Sequence, residues 1–131
     1  MFFKKRNKRF NKNSKRSFLF WLKYLFKKGS WPDFIIVGSI TGGTTSLYNY
    51  FSEHSRVEPA FTKELRFFYE ELNGNFDLGY RWYKANFPSK SKLNKLNKIT
   101  GEASPAYIYY PDAAKNIKKV LPNTKFILLL S

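Results

Sequence analysis

The chain has 131 residues, 43% hydrophobic and 20% aromatic, which is enough for one domain with a core and too apolar for global disorder. Without cysteine and with one histidine, His54, it excludes a disulfide framework, a thiolate zinc site, a cysteine nucleophile and histidine metal clusters, and no metal is expected. The net charge of +15 is uneven: residues 1–29 hold 11 of the 24 Lys and Arg and no acid, whereas residues 30–131 hold the rest with all 9 acids.

A basic tail of this kind attracts phosphates, nucleic acid or anionic lipid without reading any sequence. Within it, SFLFWLKYLF (17–26) is too short, and too interrupted by Lys23, for a membrane span of about 20 apolar residues. Its aromatic and leucine side chains suit an interfacial anchor, with Phe20 and Trp21 among the inserting rings, or a disordered or locally helical leader. It lacks a small-residue cleavage site, so it is not read as a signal peptide. Residues 1–16 are expected to be mobile, since they cannot bury enough apolar surface to offset their ordering entropy. Gly29, Pro32 and the end of the charge bias mark a boundary, dividing the chain into a basic, aromatic-containing tail (1–30) and a domain (31–131).

Phe34, Ile35, Ile36 and Val37 form a continuous apolar run that predicts a buried parallel strand near 34–38. A glycine turn follows, and Leu47, Tyr48, Tyr50 and Phe51 recur at helical spacing, predicting a helix from Thr44 to near His54. Residues 59–88 are aromatic-rich and irregularly patterned, as short helices and loops over one end of a sheet would be. Residues 89–98 read as a polar, low-complexity loop, and 99–103 as a second strand. Pro111 suits the first turn of a helix, with Asp112 against its dipole and Ile117, Val120 and Leu121 on its apolar face. Residues 125–130 read as a third buried strand. This alternation is that of an α/β domain with a parallel sheet, and the chain stops where a doubly wound fold would continue into its next helix.

In GSITGGTT (38–45) the glycines permit a tight turn, and the N–H groups that open the following helix converge on one point, which attracts an oxyanion. The spacing matches the phosphate-binding pattern G-x-x-x-x-G-K-[ST] except that Thr44 takes the lysine place. Together with TKELRFF (62–68), YRWYKANFP (80–88) and GEASPAYIYYPDAAKNIKKVLPNTKFILLL (101–130), this stretch closely resembles the amino-terminal half of the sulfotransferase family, in its heparan-sulfate-type and bacterial branches. The resemblance implies a P-loop-like parallel sheet flanked by helices, truncated after the third strand. It also implies 3′-phosphoadenosine 5′-phosphosulfate as the donor cosubstrate. Thr41, Gly42, Gly43, Thr44, Thr45 and Ser46 correspond to the loop that holds the donor's 5′-phosphosulfate, with Thr41 standing where the family usually has a lysine. Glu64 falls at the place of the general base. Lys63, Arg66, Arg81, Trp82 and Tyr83 fall where family members bind or line the acceptor, a hydroxyl- or amine-bearing molecule such as a carbohydrate. On charge pattern alone Glu64 is a solvated partner of Lys63 and Arg66; the resemblance makes it the base. The run Phe67, Phe68, Tyr69 reads as packing.

Two departures count against activity: Thr41, and the lack of the arginine and serine with which the family binds the 3′-phosphate beyond the third strand. The alternatives are another P-loop nucleotide-binding module, which would want the missing lysine and a magnesium-binding aspartate, and a non-enzymatic basic protein that binds membrane or nucleic acid through residues 1–29. Nucleic acid is not expected as a specific partner. The expected location is cytoplasmic, peripheral at a membrane.

Overall fold

A computed structural model of the chain describes residues 14–38 and 43–129. Most of the leader expected to be mobile, residues 1–13, lies outside the described residues. Four parallel strands, β1 (Phe34–Gly38), β2 (Val57–Pro59), β3 (Ile99–Ala103) and β4 (Lys125–Leu128), form one sheet in the order β2-β3-β1-β4. Central β1 has Phe34 opposite Gly101 of β3 and Lys125 of β4.

The apolar run of β1 is continuous because both of its faces are covered. Successive strand side chains point to opposite faces. Ile35 accordingly joins a core with Leu65, Phe67, Phe68 and Tyr83, while Phe34 and Ile36 join a second core with Tyr48, Val57 and Ala103. Gly101 admits the Phe34 ring, which would stand 2.6 Å from any Cβ placed there. The strands expected near 34–38, 99–103 and 125–130 are therefore present and parallel, the last ending at Leu128. The expectation that this last strand is buried is corrected: β4 stands at the end of the strand order, with Lys125, Phe126 and Leu128 exposed and Ile127 half-buried. A fourth, β2, was not expected: Val-Glu-Pro is too short to show alternation, and its proline is tolerated because β2 is an edge strand.

Helix α2 (Thr44–Glu53) follows the turn after β1 and stops at His54, as expected. Between β2 and β3 lie a single 3₁₀ turn (Phe76–Leu78), α3 (Tyr80–Ala85) and α4 (Lys90–Leu96). The expectation of a loop over 89–98 is corrected by α4. Ser89 Oγ accepts the Lys92 N–H at 3.1 Å as N-cap, Asn97 closes the helix in a left-handed conformation, and Leu93 is its buried anchor. With one buried side chain the helix has caps but almost no apolar periodicity, so its pattern reads as polar loop. After β3 a second 3₁₀ segment (Pro105–Tyr109) leads to α5 (Pro111–Val120), which has Pro111 and Asp112 in its first turn and buries Ala113 and Ile117.

The amphiphilic segment 17–26 is helical, within α1 (Ser14–Phe26), and it packs on α3. Phe20, expected to insert into a membrane, is instead fully buried, with its ring 5.6 Å from that of Phe61. Lys23 Nζ donates to the Phe87 carbonyl at 3.0 Å, and Ser30 Oγ to that of Pro88 at 2.7 Å. Because Phe20 fills part of the main core, Phe20→Ala should lower the free energy of unfolding by about 3 kcal/mol. The exposed neighbour substitution Phe18→Ala should change it by less than about 0.5 kcal/mol. Urea denaturation of both variants checks this; equal, small effects would mean that α1 docks without contributing to the fold.

Candidate functional site

In a parallel sheet of this kind ligands bind beyond the carboxyl ends of the strands. Here the relevant edge is formed by β1 and β3. Of the expected donor loop, Thr41 and Gly42 lie outside the described residues, whereas Gly43, Thr44, Thr45 and Ser46 open α2. Gly43 is its N-cap at φ +80°, a left-handed conformation that favours glycine, and no side chain caps the helix. The first-turn N–H groups therefore lack intrahelical acceptors, and no acidic residue stands among them. Thr44 is buried, while Thr45 and Ser46 are exposed with their hydroxyls. Tyr48, one turn on, fixes the helix: its hydroxyl donates to the Gly101 carbonyl at 3.2 Å and accepts the Ala60 N–H at 3.1 Å.

The segment bearing Glu64 is held to the same edge. Glu64 and Arg66 both have left-handed backbones, at φ 53° and 47°, with Leu65 fully buried between them and Lys63 exposed. Left-handed non-glycine residues cost energy that the surroundings must offset. The offset is visible in the main chain. The Leu65 carbonyl accepts Asn75 Nδ2 at 2.6 Å, and the Arg66 carbonyl accepts the Asn75 N–H at 2.7 Å. The Arg66 N–H donates to Ser104 Oγ at 3.0 Å, and the Phe67 N–H to Tyr107 Oη at 2.9 Å. Ser104 in turn donates its own N–H to the Ile36 carbonyl at 3.1 Å. One residue thus joins the end of β1 to the segment that carries Glu64. Arg66 Nε is buried without a hydrogen-bond partner among the described residues, a placement that is rare for a polar atom.

Arg81 and Trp82 have other partners. The Arg81 guanidinium donates to the Tyr24 and Leu25 carbonyls at 2.6 and 2.9 Å and lies 4.6 Å above the Tyr24 ring, so it holds the last turn of α1. Trp82 is buried, its ring nearly parallel to Phe67 at 6.2 Å. Phe67, Phe68 and Tyr69 are all buried, as expected for packing.

Sequence reasoning passed over Glu102. It is almost completely buried at the end of β3, and its carboxylate accepts hydrogen bonds from the Tyr83 hydroxyl, from Ser104 Oγ at 2.6 Å and from Tyr107 Oη at 3.1 Å. Among the described residues its partners are hydroxyls, none of them a cation. Burial raises its pKa from 4.5 to about 7, against the lowering effect of the bonds from Ser104, Tyr83 and Tyr107. A weak signal was present: Glu102 falls inside the stretch read as the second strand, and a carboxylate within a strand of a parallel sheet is a rare placement.

A carboxyl whose pKa is higher folded than unfolded contributes stability below its unfolded value and loses it as pH rises through the folded one. Between pH 4.5 and somewhat above 7 the Glu102 contribution should therefore fall, by on the order of 3 kcal/mol. Urea denaturation across that range should show the fall in the native chain relative to Glu102→Gln. Parallel pH curves for the two would contradict it.

No family model matches the sequence. The chain is 35% identical over 99 residues to the membrane-associated sulfotransferase kil1 of Dictyostelium discoideum, a match covering 76% of this chain and 20% of that protein. It is 32% identical over 108 residues to bifunctional heparan sulfate N-deacetylase/N-sulfotransferase 1 of Caenorhabditis elegans, covering 79% of this chain and 12% of the relative. A solved sulfotransferase from Alicyclobacillus acidocaldarius matches at a TM-score of 0.51 and 29% identity, over 76% of this chain and 44% of its own. The chain thus spans a fifth or less of these two curated relatives and under half of the solved one. Over about three quarters of its length, this chain belongs to the sulfotransferase family and shares its P-loop-like parallel fold.

Proposed function

We propose that this chain carries the donor loop and the base of a sulfotransferase that moves a sulfuryl group from 3′-phosphoadenosine 5′-phosphosulfate to a hydroxyl or amine of a carbohydrate. The observation that carries this reading is the Ser104 junction, which puts the Glu64 segment and the end of β1 on one edge. The donor supplies the activated sulfuryl group. The first-turn N–H groups of α2 and the hydroxyls of Thr45 and Ser46 would hold its phosphosulfate oxygens, with Arg66 adding charge. Glu64 would take the acceptor proton as the acceptor's oxygen or nitrogen bonds to sulfur and the bond from sulfur to the phosphate oxygen breaks. Lys63 would attract an anionic acceptor. Arg81 and Trp82 enter this reading as braces of the acceptor wall. The carbohydrate class is supported by relatives whose names specify heparan sulfate.

Thr41 supplies a hydroxyl dipole where the family has a cation, so donor binding should be weak and transfer slow. Titration calorimetry with 3′-phosphoadenosine 5′-phosphosulfate should show Thr41→Lys tightening binding by about tenfold, the scale of one charge-assisted hydrogen bond. ATP with magnesium should bind neither form. Glu64→Gln should leave donor affinity unchanged and reduce any transfer to a heparan oligosaccharide by about 10²-fold or more. Donor binding indifferent to Thr41→Lys would remove the loop from the reading, and undiminished transfer by Glu64→Gln would remove the base.

We also propose that α1 rests on an anionic membrane surface, because it has a second apolar face. Ser17, Phe20 and Tyr24 face the domain, while Phe18, Leu19, Leu25 and Phe26, roughly opposite at 100° per residue, are exposed. One relative is named as membrane-associated. No helix of the described residues is long and apolar enough to cross a membrane, so the contact would be peripheral. Phe18→Ser with Phe26→Ser should abolish sedimentation with phosphatidylserine vesicles, and binding by the native chain should weaken with salt. Retention by the double variant, or equal binding to neutral vesicles, would refute the contact.

A further inference from the structure

Glu102 is the buried titratable group that sulfuryl chemistry leaves without a task. It lies behind the Glu64 segment, linked to it by two parallel paths of one hydroxyl each. Ser104 Oγ donates to Glu102 Oε1 and accepts the Arg66 N–H; Tyr107 Oη donates to Glu102 Oε2 and accepts the Phe67 N–H. A hydroxyl has one proton and two lone pairs, so where its proton points decides what its lone pairs can accept. We infer that Glu102 is the positioning residue of the Glu64 segment: by accepting the protons of Ser104 and Tyr107, its carboxylate turns both hydroxyls toward two successive main-chain N–H groups and holds Glu64 and Arg66 in their left-handed backbones. This rests on the reading of Glu64 as the base.

The ionised state is the one that satisfies the network. A carboxylate offers about four lone-pair sites and no proton, and three hydroxyls donate into it. A protonated Glu102 must itself donate to one of those hydroxyls, which leaves that hydroxyl's proton without an acceptor and loosens its grip on the amide beyond. The groups around the carboxyl are Tyr83 on α3, Tyr107 and Ser104 after β3, and Tyr69, which also feels the charges of Arg66 and Glu64; Tyr48 on α2 acts on Tyr83. With its pKa raised by burial to about 7, the Glu102 carboxyl changes charge near neutrality. The segment should therefore tighten as pH rises through about 7, while global stability falls, and that opposition separates positioning from mere filling of space.

Amide hydrogen exchange, read residue by residue by NMR on the full chain between about pH 5.5 and 8.5, tests this. Protection factors of the Arg66 and Phe67 amides should rise about tenfold across the range, and in Glu102→Gln they should stay low and flat, with β1 amides as protected as before. Ser104→Ala should deprotect Arg66 alone, and Tyr107→Phe should deprotect Phe67 alone, so the relay is tested even if Glu102→Gln folds poorly. Wild-type protection of both amides in Glu102→Gln, or no amide-specific loss in the two hydroxyl variants, would overturn the proposal. No ligand is needed for this readout. Absent donor binding with this exchange pattern intact would instead refute the sulfuryl reading and leave the relay standing.

Discussion

Everything in this fold is arranged around β1, a strand that must satisfy hydrogen bonds on both edges and bury side chains on both faces. β3 and β4 take the edges, and the alternation of Ile35 with Phe34 and Ile36 divides the apolar residues into two cores. A strand so enclosed has one place where its chain can meet water and ligand, its carboxyl end. The glycine-rich segment that leads to α2 follows from there. Ser104 stands beside that end because β3 is the immediate parallel neighbour, and register, not side-chain chemistry, delivers the Glu64 segment to the end of β1.

That delivery carries an unfavourable term. Two left-handed residues and a buried carboxylate with no cationic partner among the described residues all raise the energy of the folded chain. They are grouped within one hydrogen-bonded cluster, where the strain of Glu64 and Arg66 is opposed by bonds to Asn75, Ser104 and Tyr107. Concentrated backbone strain and a perturbed carboxyl are features that gather at functional sites, and here both lie at the carboxyl end of the central strands.

Legibility followed the number of side chains that each element buries. β1, β3 and β4 and the helices α2 and α5 stood out because their apolar spacing or their proline and glycine punctuation is strong. α4 was missed because Leu93 alone is buried, and β2 because three residues carry no period. α1 was read as a tail because charge dominates residues 1–29, yet Phe20 docks it; partners distant in sequence, such as Phe61, decide that, and no local pattern contains them. At the site, the phosphate-loop pattern and the KE dipeptide were legible as motifs. The role of Glu102 was not, since it depends on three hydroxyls brought from 83, 104 and 107.

α3 explains why the expected acceptor residues have partners within the protein. It is only six residues long, and successive helical side chains are about 100° apart, so Arg81, Trp82 and Tyr83 must point in three directions. Arg81 reaches the last carbonyls of α1, where a cation also suits the negative end of the helix dipole. Trp82 lies along Phe67, and Tyr83 donates to Glu102. None of the three can turn toward an acceptor without giving up a contact made by the docked helix, the aromatic core or the buried carboxylate. One short helix therefore ties α1 to the cluster that holds Glu64, and an aromatic, basic tripeptide that reads from sequence as a substrate surface is also built into the brace of that cluster.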